Sequence, residues 1–455
     1  MSFSTGPRAV SRRRRLLAAI AGATLVVAAC GPSASSPSAA PTAAPDGGTG
    51  DTGLPSGPVE LRVAYYNAGG QTEIDYRQAQ AERFMELHPN VTVSMEPVSD
   101  WGEQIYPQLA AGTAADVLWI DTDTGYGRMV GLGAWQSLTP FIEKEGYDLS
   151  PWPKTMLDHF SGPDGLLILP NSNLSFNFLY YNKKIFDEAG LPYPTNDWSL
   201  DQLLATARQL TVPGERWGLT LAWNELYVTW MQMFGCELAD SASGPTTYTY
   251  NGPGCAEALT ELDRLSREGV LNWDFGALGP GDTAGESNFS LGNVAMLLSG
   301  TWEAGSIAAN SGGAFEFDAS AAPLAANGTI QGAASGYGVY ANSKNPEWAW
   351  EYVKYLAGPE GQTADNEVGL GQSPVASILD EVYCKSDAPP ASKCDVAKIG
   401  AEKTKWEPVS EKWGPGFWDV VSPGLEAGFT AAEAPDWQAI LDDLVAKSQQ
   451  AAPLP

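Results

Sequence analysis

From residue 59 the chain alternates. Val59, Leu61, Val63 and Tyr65 are separated by Glu60, Arg62 and Ala64, the period of two that turns one side of a strand toward a core. Asn67-Ala68-Gly69-Gly70 interrupts the pattern. Thr72 can then cap a helix reaching Leu87, with Ile74, Phe84, Met85 and Leu87 as its apolar positions and Pro89 just past its end. Alternation returns at Val91, Val93 and Met95. The three segments read as a β-α-β unit, whose crossover is right-handed.

A second unit follows. The stretch 101–111 reads as a helix in spite of Pro107, Val117-Leu118-Trp119-Ile120 as a short buried strand, and Thr124 to Leu132 as a short helix. Leu166 to Pro170 and Phe178 to Tyr181 are further strands. Ser199 and Gln202 have capping-box spacing ahead of a helix with Leu200, Leu203, Leu204, Ala207 and Leu210 on one side. Helices at 255–268, from Pro346 to Leu356 and at 435–448 repeat that apolar spacing, and Gly358-Pro359 stops the second of them. Strands and helices in alternation make the fold class α/β, with sheets covered on both faces. The roughly 395 residues beyond 58 exceed one comfortable core and imply two lobes. Ligands of such sheets gather beyond the carboxyl ends of strands, so loops after the strands of two facing lobes would line a cleft.

Ahead of residue 59 the pattern is different. Arg8 and Arg12 to Arg15 form a basic start, Leu16 to Ala28 an apolar run of 13 residues, and Val27-Ala28-Ala29-Cys30 a small-residue approach to a cysteine. That run is too short for a hydrocarbon core of about 30 Å, so 1–29 read as a signal peptide, not a membrane span. The tetrapeptide resembles a bacterial lipobox, which makes Cys30 the expected lipidation site. Ser11 to Leu17 is also similar to a twin-arginine signal, leaving the export route open. Residues 31–58 are nearly all Gly, Pro, Ala, Ser, Thr and Asp, too poor in apolar area to offset ordering entropy. The segment 30–58 is therefore expected to be a lipidated, disordered tether.

Charge and rare residues narrow the chemistry. Without the five arginines of the leader, 21 Lys+Arg stand against 54 Asp+Glu, a net charge of −33. Such a surface repels nucleic acid and anionic lipid. Beyond Cys30 the four cysteines allow three pairings. The local pairs Cys236–Cys255 and Cys384–Cys394 close short loops and are the expected disulfides of an oxidising compartment, no spacing among them resembling a zinc motif. His88 and His159 are the only histidines, so His-based triads and metal centres lack parts; no Gly-x-Ser-x-Gly elbow and no phosphate-binding loop occurs. Asp121-Thr122-Asp123-Thr124-Gly125 begins like a calcium loop, but Leu132 stands where a bidentate glutamate is needed.

Four stretches carry a resemblance to a known family. Ala115-Asp116-Val117-Leu118-Trp119-Ile120-Asp121 looks like an "A-D-V" strand and its loop. Leu169-Pro170, followed by Leu179-Tyr180-Tyr181-Asn182-Lys183-Lys184-Ile185-Phe186-Asp187-Glu188-Ala189-Gly190-Leu191, looks like "L-P … L-Y-Y-N-K-…-F-…-A-G-L". Trp198 to Leu203 is similar to "T-W-…-E-L", with Asp197 where threonine is usual, and Gly292 to Trp302 to "G-…-A-A-M-…-G-…-W". In this order, behind a lipobox, they resemble the extracellular solute-binding proteins, family 1, the carbohydrate-type relatives of maltodextrin-binding protein.

The resemblance implies the two-lobed periplasmic-binding-protein-like fold, with hinge strands and an inter-lobe cleft that closes on ligand. Lobe one would comprise 59–170 and 321–373, lobe two 171–320 and 374–455, with Leu169–Asn173 and Ala322–Thr329 as crossings. It further implies a monomeric lipoprotein on the extracellular face of the bacterial membrane, or in the periplasm. That lipoprotein would capture a sugar or oligosaccharide, pass it to the permease subunits of an ABC importer, use no cofactor or metal, and catalyse nothing. Two rivals stand beside it: a surface lectin or adhesin, and a glycoside hydrolase, whose two carboxylates 54 acidic residues can always supply.

Sugar chemistry selects the candidate site. A pyranose lays its apolar C–H face on an aromatic ring and needs directional partners for its hydroxyls. Trp302, after a Gly-rich turn and where the family places a ligand tryptophan, is the first stacking candidate. Trp223, after the strand Leu219 to Ala222, is second; Trp413 and Trp418, in a Trp-Gly-Pro-Gly-Phe-Trp loop, are third. Trp119, Trp135, Trp348 and Trp350 sit in strand or helix patterns and are expected in cores. The polar candidates follow strands: Asn67, Gly70 and Gln71; Asp121 and Asp123; Asn173; Asn224; and Ser335 and Tyr337 in a Gly-rich turn before the strand Gly338 to Ala341.

Overall fold

The computed structural model describes residues 54–67, 70–122, 125–222, 226–242, 244–272, 288–368 and 371–455. The leader, Cys30 and nearly all of the tether lie outside the described residues, as do Asp123, Trp223 and Asn224. No helix among the described residues is long and apolar enough to cross a membrane.

The strands run β1 (Val59–Tyr66), β2 (Val91–Val98), β3 (Val117–Asp121), β4 (Ser161–Gly162), β5 (Gly165–Leu166), β6 (Leu169–Ser175), β7 (Phe178–Asn182), β8 (Trp217–Leu221), β9 (Leu271–Asn272), β10 (Val294–Ser299), β11 (Phe317–Ala321), β12 (Ile330–Val339) and β13 (Thr404–Trp406). They form a first sheet in the order β13-β12-β3-β1-β2, with β6 also on β12, a second in the order β11-β7-β10-β8-β9, and a β4–β5 hairpin. β1 is parallel to β2 and to β3, as the opening β-α-β unit requires, and the helix Gly70–Leu87 is its crossover. That helix starts two residues ahead of the expected cap, so Thr72 lies inside its first turn.

Each sheet has its own core. Val63, Leu118, Ile120, Trp350 and Tyr352 belong to the first; Tyr180, Trp230, Leu259, Leu297 and Phe417 belong to the second. β6 and β12 serve both. Leu169 and Tyr337 pack in the first core, whereas Phe176, Ile330 and Ala333 pack in the second. These two strands pair antiparallel from Gly332↔Ser175 to Tyr337↔Leu169 and carry the chain between the lobes. A third passage comes later than residue 373: Val375 and Ile378 still pack with the first core, and Val396 and Ala397 with the second. β13 then returns to β12, bringing Trp406 and Val409 against the first core, before the helix Trp413–Phe429 joins the second.

Packing overturns two local readings. Ser335-Gly336-Tyr337 is not a turn, because β12 runs unbroken from Ile330 to Val339. Its glycines serve close approach: a Cβ on Gly336 would lie 2.4 Å from the Leu169 carbonyl oxygen, and one on Gly338 2.6 Å from Ile168 Cδ1. The Trp413-to-Trp418 stretch is not a loop but the start of the helix Trp413–Phe429. Pro415 falls in the first turn, where no intrahelical amide bond is lost, and Gly416 leaves room for the Tyr248 hydroxyl, which a Cβ would meet at 1.7 Å. The 101–111 helix is also broken, into Trp101–Gln104 and Tyr106–Ala111, since Pro107 fits only near a helix start.

Other elements form as expected. Ser199 Oγ accepts from the Gln202 amide at 3.2 Å while Gln202 Oε1 accepts from the Ser199 amide at 2.8 Å, completing the capping box. The disulfides Cys236–Cys255 and Cys384–Cys394 are both present.

Candidate functional site

β1 and β3 are parallel neighbours, so Asn67 and the pair Asp121-Thr122 emerge at one edge of the first sheet. The Asn67 amide donates to the Val98 carbonyl at 2.9 Å, while its side-chain Oδ1 is buried without a hydrogen-bond partner among the described residues. A buried acceptor in that state favours a donor brought from outside. Gly70 opens the following helix; Gln71 is exposed and donates to Asp75 Oδ1 at 2.7 Å. Asp121 is buried and faces Ser335 across the β3–β12 ladder. Thr122 donates its amide to the Ala334 carbonyl at 3.0 Å and accepts the Ala334 amide on Oγ1 at 3.1 Å. Asn173 lies in β6 opposite Ala334.

Three candidates face inward. Ser335 is buried and its hydroxyl donates to Asn171 Oδ1 at 3.2 Å. Tyr337 is sealed in the first core, and burial pushes its hydroxyl pKa up. Trp413 has both ring faces covered, by Phe417 at 4.9 Å and 10° and by Tyr248 at 5.5 Å and 25°. The expected core tryptophans Trp135, Trp348 and Trp350 are buried, whereas Trp119 is half-buried beside the Tyr66 ring.

A cavity of about 270 Å³ brings the two lobes' loops together. Tyr106, Thr122 and Arg128 line it from the first lobe, and Glu407, Trp418 and Asp419 from the C-terminal segment. Arg128 holds its guanidinium 4.0 Å above the centre of the Tyr106 ring. Trp418 is half-buried and braced edgewise by Phe417, 5.0 Å away at 87°, with its indole N–H donating to Glu407 Oε1. The helix Tyr126–Gly131 closes one side. A Cβ on Gly127 would stand 2.7 Å from the Ser410 amide nitrogen, and one on Gly131 2.6 Å from Glu411 Cβ, so only glycines permit this contact. Two larger recesses do not combine these loops. One of about 620 Å³ lies between helices of the first lobe, and one of about 660 Å³ contains none of the residues after β1 or β3.

Trp302 stands apart from that cavity. It is half-buried at the start of the helix Glu303–Ser311, folded over Gly300 and edge-on to Phe176 at 5.2 Å and 86°. It therefore flanks the crossing strand β6. Tyr106, Thr122, Arg128, Glu407 and Asp419 are not among the sequence candidates. Arg128 had a signal, being one turn beyond the Asp121 loop; Tyr106 and Glu407 had none, since only tertiary packing brings them there.

Two α/β lobes linked by passing strands, with an aromatic and polar recess between them, define a binding protein of the hinged two-lobe class. The chain belongs to the bacterial extracellular solute-binding proteins, whose family model matches residues 69–363. A putative binding protein of Brucella abortus is 24% identical over 418 residues, 86% of this chain and 93% of that one. An ABC substrate-binding protein of Listeria monocytogenes, solved in complex with cycloalternan, superposes with a TM-score of 0.75 at 21% identity, covering 86% of this chain and 98% of its own. The maltotriose-binding protein of Thermus thermophilus, solved with maltotriose, gives 0.69 at 20%, covering 86% and 99%. These likenesses fix the fold.

Proposed function

We propose that this protein captures a neutral, hydroxyl-rich solute, a sugar or oligosaccharide, between its lobes and passes it unaltered to the permease subunits of an ABC importer. One observation carries the reading: a half-buried tryptophan, Trp418, held edgewise in a recess to which the other lobe contributes the Tyr106 and Thr122 hydroxyls and the Arg128 guanidinium. Stacking a pyranose on that ring contributes roughly 0.5–1.5 kcal/mol, by analogy with aromatic pairs. Thr122, Glu407, Asp419 and Arg128 are suited to its hydroxyls. Two carboxylates against one guanidinium, in a chain of net charge −28, disfavour an anionic solute. The sugars named with the two related structures support the same class. Asn67 and Asp121, at the ends of β1 and β3, extend the site; Asn173 on β6 and Trp302 beside it are further candidates, as are Asp123, Trp223 and Asn224 outside the described residues.

The lipobox makes Cys30 the lipid anchor, and the segment after it the tether that keeps a monomeric two-lobed domain near the extracellular face of the cell membrane or in the periplasm; the tether ends earlier than residue 58, since Leu54 packs on the first core and the Trp348 indole donates to the Pro55 carbonyl at 2.9 Å. A thermal-shift screen of the purified protein against neutral sugars and a sugar phosphate tests the reading. A ligand that binds only the folded form raises the melting temperature by mass action. A shift from a neutral sugar at one-to-one stoichiometry, without turnover, supports it. Turnover favours a glycoside hydrolase, and silence from every neutral sugar contradicts it.

A further inference from the structure

The helix Gly70–Leu87 buries an ion pair beneath the site. Arg77 is 4% exposed and Asp365, in the helix Pro359–Glu367, 2%. Arg77 Nη1 donates to Asp365 Oδ1 at 2.8 Å and to Gln80 Oε1 at 2.9 Å, while Glu73 Oε1 lies 3.6 Å from Nε. The same carboxylate accepts from the Tyr76 hydroxyl at 2.9 Å, from Gln80 Nε2 at 3.1 Å, and on Oδ2 from Asn171 Nδ2 at 3.3 Å. Asn171 Oδ1 accepts in turn from Ser335 Oγ at 3.2 Å. Burial works against the Arg77 charge, but Asp365 together with Tyr337, Glu73 and Tyr76 outweighs it and keeps the guanidinium protonated.

Each end of this network leads to a site segment. Glu73 lies in the first turn of the helix that follows the Asn67 loop. Asn171 and Ser335 sit on β6 and β12, the strands that pass between lobes, and Ser335 faces Asp121. Just beyond the Asp365 helix, the Gln372 amide donates to Ser172 Oγ at 3.2 Å. A buried pair of this kind adds little net stability over apolar residues of similar volume, so stability alone does not account for it.

We propose that the Arg77–Asp365 pair is a positioning element, locking the passing strands to the first turn of the helix that follows β1 and so setting the first lobe's half of the cleft. It touches no solute. Its consequence for binding rests on the solute-capture reading; its structural part does not.

Hydrogen exchange on the unliganded full chain tests it. Arg77→Met leaves Asp365 buried without its counter-charge and lowers the melting temperature as a whole. Arg77→Met with Asp365→Asn removes both charges and leaves one acceptor, Oδ1, for Tyr76 and Gln80, while the new amide nitrogen faces Asn171 Nδ2. The double variant is expected to recover melting yet exchange at least tenfold faster at the Thr122, Ala334 and Gln372 amides, with β2 and the second sheet unchanged. Wild-type exchange at those amides, or a uniform increase across both lobes, overturns the proposal. Should the double variant not fold, Asn171→Ala decides, since it cuts the link to Ser335 and spares the ion pair. The same local increase is expected, and none overturns it. Maltotriose titration forms a separate arm. No binding by the wild type counts against the carbohydrate reading alone, while binding predicts about tenfold weaker affinity in the double variant.

Discussion

The two halves of the cleft are braced by opposite means. The segments that pack the first core contain no cysteine and fix their site loops with buried polar groups, Arg77, Asp365, Asn171 and Ser335. The second lobe carries the Cys236–Cys255 disulfide and layers Tyr248, Trp413 and Phe417 face to face. The half that offers directional partners is held by directional bonds; the half that offers flat rings is held covalently and by stacking. Direction is lost when a charge changes, whereas a cystine and a ring stack are indifferent to pH.

The largest expected effect separates the lobes directly. Replacing Cys236 and Cys255 together with serine should cost about 3 kcal/mol, confined to the second lobe. Differential scanning calorimetry should then resolve an earlier transition while first-lobe amides keep their protection. Acid does the reverse. Burial lowers the His159 pKa to about 4, below its ordinary value of 6.5, so the unfolded chain binds the proton first as pH falls. First-lobe stability is complete above about pH 6.5 and falls by up to about 3 kcal/mol as pH approaches 4. His159→Phe should flatten that dependence in chemical denaturation run at several pH values.

Smaller effects test the cleft and the frame. Trp418→Ala should weaken sugar binding by about 1.5 kcal/mol, roughly tenfold, with little change in unliganded melting. Trp413→Phe should do the opposite, lowering stability and sparing affinity, because its ring faces are already covered. Calorimetric titration and thermal melts of the pair decide between them. Smallest is Ser199→Ala, which removes one side of the capping box and should cost the second lobe about 1 kcal/mol in urea titration.

Much of the frame was legible in the sequence because its signals are local. The opening β-α-β unit, the Ser199–Gln202 cap and the short-loop cysteine pairs each depend on neighbours a few residues apart. Where the reading failed, the cause was distant. Gly336 looks like a turn residue until the Leu169 carbonyl is placed against it. Trp413 and Trp418 are equivalent in the sequence, and Tyr248, far upstream, stacks on the first while the second stays half-exposed. The third passage was set too early because nothing near residue 373 shows that Val375 and Ile378 still pack with the first core.

The most direct test is a crystal structure of the full two-lobed domain grown with whichever sugar gives the largest thermal shift. An intact pyranose is expected on the Trp418 ring, its hydroxyls bonded to Thr122, Arg128, Glu407 or Asp419. A sugar bound outside the inter-lobe recess, a cleaved product within it, or a Trp418 ring covered by protein would contradict it.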